Sequence, residues 1–129
     1  MKVPFEKETT YAPEWRGNLE LPEEERVLVT ISWPSVREGS LLPELKFEEI
    51  PAPTEEEPDR KVSRATNESL SAFADAVLRQ RIPRIAHLEG ISSGAQLADA
   101  PEEIFAELIW DIIIKYRAGP SALIEKKKD

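Results

Sequence analysis

PEEIFAELIWDIIIKYRA, residues 101–118, reads as a helix at every position. Ile104, Phe105, Leu108, Ile109, Ile112, Ile113 and Tyr116 recur at helical spacing and build one apolar face, which Trp110 and Ile114 widen beyond a narrow stripe. Asp99 or Ala100 takes the cap region and Pro101 suits the first turn. Glu102 and Glu103 complement the positive helix end, and Gly119-Pro120 stops the run. A face this broad calls for burial on two sides, against a second helix and a sheet or against another subunit.

A second helix follows from residues 66–81. Thr66 or Asn67 caps it, Leu70, Phe73, Ala74, Val77 and Leu78 form its stripe, and Pro83 ends it by restricting Ile82. Residues 84–88 suit a short strand, and Gly90 and Gly94 frame a turn before one helical turn over 94–99. Upstream, residues 26–33 alternate cleanly, with Val27, Val29, Ile31 and Trp33 on one side of an extended chain and Leu28, Thr30 and Ser32 on the other. Residues 44–50 alternate less cleanly and are expected to pair with 26–33 as an irregular hairpin. The fold class is therefore α+β: a short antiparallel sheet packed against two C-terminal helices, with an extended N-terminal arm.

The division of the chain follows its composition. The 129 residues suit one domain, and the net charge of −8 is unevenly placed: fifteen acids face eight bases before residue 62, and ten face nine after it. Eight of the eleven prolines lie in the same first half, where they break helices. The expected organisation is an aromatic and acidic arm over 1–25, a two-stranded β region over 26–50 and a Pro/Glu-rich linker or loop over 51–64. A helical core with a short strand over 65–120 and a charged tail over 121–129 complete it.

The chemistry is sparse. Without cysteine the chain has no thiolate, disulfide or cysteine-bound metal, and one histidine, His87, rules out a multi-histidine site. No Gly-x-Ser-x-Gly elbow, phosphate loop or dinucleotide fingerprint occurs. Glu103, Glu107 and Asp111, at i,i+4 intervals, read as a solvent face rather than a general acid/base pair, and Arg79, Arg81 and Arg84 as surface or carboxylate-pairing cations. No catalytic residue, cofactor or metal is expected. The first eleven residues do not read as a signal peptide and the longest apolar run is far too short to span a bilayer, so neither export nor a membrane partner is expected. Acidity disfavours nucleic acid. Phe5, Tyr11 and Trp15 stand in an otherwise polar arm, where they serve either as anchors for a partner or as contacts folded back onto the protein's own core. With Trp110 and Tyr116 they are the candidate protein-binding residues.

Tyr11-x-Pro13-x-Trp15-x-Gly17-Asn18-x-x-Leu21-Pro22-Glu23-Glu24-Glu25, together with Ile85-x-x-Leu88, Gly94-x-x-Leu97, residues 108–114 and Ser121-x-Leu123, resembles a group of small accessory proteins of tailed bacteriophages, of the tail assembly chaperone type. The pattern covers about half the chain and departs from the group at His87, where members carry asparagine, and at the basic run Lys126–Lys128. The resemblance implies a non-enzymatic factor that binds a phage structural or tail protein, or copies of itself, in the host cytoplasm during virion assembly. A component of the mature virion and an acidic inhibitor or nucleic-acid mimic are the alternatives. No catalytic residue comes with the resemblance.

Overall fold

The computed structural model describes residues 7–39, 42–51, 61–120 and 123. It is an α+β fold. A three-stranded antiparallel sheet runs in the order β1 (Glu8–Tyr11), β2 (Leu28–Ser32) and β5 (Arg84–Ala86). A separate two-stranded ribbon joins β3 (Phe47–Pro51) to β4 (Lys61–Ala65), and the short α1 (Val36–Gly39) lies between β2 and β3. The helices that follow are α2 (Asn67–Arg81), α3 (Gly94–Ala98) and α4 (Glu102–Ala118).

β2 is the centre of the sheet and the alternation seen in the sequence explains it. Val29 and Ile31 are fully buried and pack with Leu78 of α2 and Leu108 and Ile112 of α4 into one core cluster. A second, smaller cluster joins Ala74 and Val77 to Ile113, so α4 is covered from two directions, as its wide apolar face requires.

The expected hairpin between 26–33 and 44–50 does not form. β2 pairs instead with β1, Thr9 opposite Ile31, and with β5, Val29 opposite Ile85. β3 pairs with β4, Glu48 opposite Arg64. The reason is local: Pro34, α1 and Pro43 occupy the stretch after β2 and redirect the chain, and β3 takes the strand that follows it most closely. Pro51 and residues 61–64, expected in a linker, are thus strand residues, while 52–60 lie outside the described residues. The ribbon is tied to the start of α2 by Ser69, whose hydroxyl accepts from the Lys46 amide at 3.0 Å and donates to the Lys46 carbonyl at 3.1 Å.

Of the segment expected to form an arm, residues 7–25 are an edge strand followed by a pinned loop, and residues 1–6 lie outside the described residues. Buried Asn18 donates to the carbonyls of Pro13 at 2.9 Å and Val27 at 3.1 Å, and its own carbonyl accepts from the Val27 amide at 2.7 Å. One side chain thereby satisfies three buried backbone groups that the irregular loop leaves unpaired.

α2, α3 and α4 each carry a readable stop or start, although α4 opens on Pro101 without a side-chain cap and Asp99, expected with Ala100 in its cap region, closes α3 instead. Thr66 caps α2 by accepting from the Ser69 amide at 3.2 Å, and Ser93 caps α3 by accepting from the Gln96 amide at 3.3 Å. Gly119, at φ 91°, closes α4 with its amide on the carbonyls of Lys115 and Tyr116.

Of the described glycines compared for an added Cβ, Gly94, the first residue of α3, is the most tightly approached. Its amide donates to the Ile82 carbonyl at 2.9 Å, and a Cβ placed on it would collide with the Leu78 carbonyl oxygen and come within 2.5 Å of the Ile82 Cβ. Both obstacles are close to the main chain and cannot swing aside. Gly94→Ala is expected to cost about 3 kcal/mol or more, read as a lower urea midpoint; an unchanged midpoint would show that α3 does not sit this tightly on α2.

Candidate docking site

The five aromatic residues singled out from the sequence divide sharply. Phe5 lies outside the described residues. Tyr11, Trp15 and Tyr116 are partly buried and packed against the main core cluster. Trp15 lies 5.7 Å from Phe105 between ring centroids, and Tyr116 stacks on Trp33 at 5.7 Å with rings 7° from parallel. Of the two roles open to Tyr11 and Trp15, their side chains take the intramolecular one. Trp110 alone of the described four is turned outward, with 38% of its surface exposed.

Tyr11 shows how the N-terminal strand is held. Its hydroxyl donates to Asp111 Oδ2 at 2.8 Å across a separation of 100 residues, and Lys115 Nζ lies 3.4 Å from the other carboxylate oxygen. Burial, then the neighbouring negative charge of Asp111 and the hydrogen bond to it, push the Tyr11 phenol far above its usual value near 10. Asp111, expected on a solvent face with Glu107, is instead the partly buried acceptor of this bond. The i,i+4 spacing of acids carries no information about which member the tertiary fold covers.

The basic residues divide likewise. Arg79 bridges Asp75 at 3.0 Å and Asp99, and Arg84 pairs with Glu8 at 2.8 Å, whereas Arg81 is buried at the end of α2. His87 adopts a left-handed backbone at φ 62°, and the Arg26 carbonyl 2.7 Å away holds its Nδ1, which must carry the proton to donate. The depression beside it is lined by Leu88, Glu89, Ser92 and Gln96 and gathers no set of converging acids. Among the described residues no group of three or more potential metal ligands occurs, and no helix is long and apolar enough to cross a membrane.

Among the described residues the exposed large apolar side chains Leu19, Leu21, Val36 and Phe47 are spread over the N-terminal loop, α1 and β3, and three, Ile104, Trp110 and Ile114, lie on α4. Trp110 and Ile114, one turn apart and with Ile114 61% exposed, form a ridge on its outer face. Beside the ridge runs an open groove of about 290 Å³ between α2 and α4. Ala74 and Leu78 with Ser71 and Asp75 supply its α2 wall, Ala98 and Ala100 its end, and Ala106 and Ile109 its α4 wall. Four alanines from three parts of the chain keep the space open, since any longer side chain there would fill it. Sequence reading found Trp110 but missed the groove, because the alanines that shape it look like ordinary helix formers one by one. No protein family, curated protein or solved structure matches the chain.

The Tyr11 bond carries a test with a defined sign. A phenol whose folded value lies above its unfolded value stabilises the fold fully below pH 10, and that contribution is lost as the pH rises above it. Tyr11→Phe is expected to cost roughly 2 kcal/mol at neutral pH. The gap between variant and parent, measured by urea unfolding, narrows above pH 10; a gap independent of pH up to 11.5 would contradict the arrangement.

Proposed function

We propose that this protein is a non-enzymatic binding factor that holds a partner protein on the outer face of α4, along the Trp110–Ile114 ridge and the groove beside it. The exposed Trp110 at the rim of an apolar groove carries the reading. Tryptophan anchors in or beside desolvated pockets supply much of the energy of protein interfaces. Tyr11, Trp15 and Tyr116 support it by contrast, since they are partly buried and packed against the protein's own core. The resemblance to tail accessory proteins of bacteriophages gives the setting: the partner is a phage structural or tail protein, met in the host cytoplasm and shielded there until it assembles. The acidic surface, at −8 overall, favours solubility while the apolar ridge is uncovered.

In a pulldown titration against tail structural proteins produced in the same host, Trp110→Ala and Ile114→Ser are each expected to weaken capture about tenfold or more. The urea midpoint of Ile114→Ser stays within about 0.5 kcal/mol of the parent. Tyr11→Phe, which lowers stability, leaves capture intact at temperatures where the protein is folded. Capture lost with Tyr11→Phe and unchanged with both α4 variants would overturn the proposal and return the interface to the N-terminal strand.

A further inference from the structure

The chemistry of the groove identifies the kind of segment that fills it, given the docking role of this face. The cavity, about 290 Å³ and open to solvent, is at the lower limit of the roughly 300–1,000 Å³ that enclose small-molecule ligands. Its volume suits one or two aliphatic side chains inserted from a larger body. Its shape, a trough between two helices with a tryptophan ridge along one side, is that of a surface that receives a third helix.

The charge beside it is acidic at the N-terminal end of α4, while Arg117, seven residues after Trp110, supplies a cation at the other end. On the α2 side Arg79 is already shared between Asp75 and Asp99. Glu102 lines the groove, and Glu103 and Glu107, seven and three residues before Trp110, are exposed on the other flank of the Trp110–Ile114 ridge. These three glutamates make no hydrogen bond or ion pair with any other described residue. Carboxylates on both flanks of an apolar strip, one in the groove and two across the ridge, repel acidic segments and attract cationic ones. From the apolar floor and the acidic rim together, we infer that the groove binds a basic amphipathic helix of the partner protein, with aliphatic side chains on Ala74, Leu78 and Ala106 and lysines or arginines facing Glu102, Glu103 and Glu107.

The experiment uses the full chain and a fluorescently labelled 18-residue peptide of leucine and lysine in helical amphipathic order. Its controls are the same peptide with glutamate in place of lysine and one with the leucines scrambled. Anisotropy titration is expected to show binding of the amphipathic lysine peptide only. Ala106→Gln, which plugs the trough without removing a contact, weakens it about tenfold or more. The triple substitution Glu102→Gln, Glu103→Gln and Glu107→Gln weakens it about fivefold at low salt and flattens its salt dependence. Circular dichroism verifies that both variants stay helical.

Equal binding of the scrambled peptide, preference for the glutamate peptide, or indifference to Ala106→Gln would each overturn the inference. So would a dimer of the parent that Ala106→Gln dissociates, since a second copy would then occupy the groove. If tail proteins are captured through Trp110 while the lysine peptide fails to bind, the docking role stands and the basic helix does not. If both fail, the docking role itself is wrong.

Discussion

The missing side chain at position 94 sets the arrangement of the helical half. With no Cβ, Gly94 lets α3 start directly on the last turn of α2, its amide on the Ile82 carbonyl and Leu97 buried behind it. The chain leaving α3 then passes Ala98 and Ala100 along the flank of α2 before Pro101 opens α4. The gap between α2 and α4 is as wide as this short helix makes it, and its alanine end is the segment that Gly94 brings into place. Core and groove therefore share one cause. α4 meets the sheet through Leu108 and Ile112 and meets α2 through Ile113, and its remaining outward sector carries Trp110 and Ile114.

Much of this was legible from local signals. The helices over 67–81 and 102–118 followed from periodicity and caps, and the central strand from the alternation around Val29 and Ile31, because these patterns report a buried face directly. Strand partners were not legible. β1 is only four residues, Glu-Thr-Thr-Tyr, with no apolar alternation; it joins the sheet through its pairing with β2, the bond from Trp33 Nε1 to Thr9 Oγ1 at 2.9 Å and the Tyr11–Asp111 bond. Contacts between residues 100 positions apart leave no trace in a window of ten. The role of Asn18 is of the same kind: its identity suggests a turn, whereas its burial and three backbone bonds appear only once residues 13 and 27 are seen to converge.

The candidate site was half legible for a related reason. An aromatic residue in a polar stretch signals that something covers it, and the signal is the same whether the cover is another protein or the chain itself. For Tyr11, Trp15 and Tyr116 the cover is the chain's own core. For Trp110 the sequence position, inside a helix already rich in isoleucine, argued for burial, yet the broad apolar face exceeds what the sheet and α2 can cover. That surplus is the physical content of the docking proposal. Its acidic border gives it direction, since glutamates that pair with no other described residue present their charge to a cation from outside.

The central claim is that the partner sits along α4 and not on the N-terminal strand. Hydrogen–deuterium exchange of the protein alone and in complex with a captured partner protein tests it most directly. The account predicts added protection confined to residues 71–78 and 98–114, with the exchange of residues 7–16 unchanged. Protection concentrated on residues 7–33 or on the β3–β4 ribbon, with 98–114 unaffected, would contradict it.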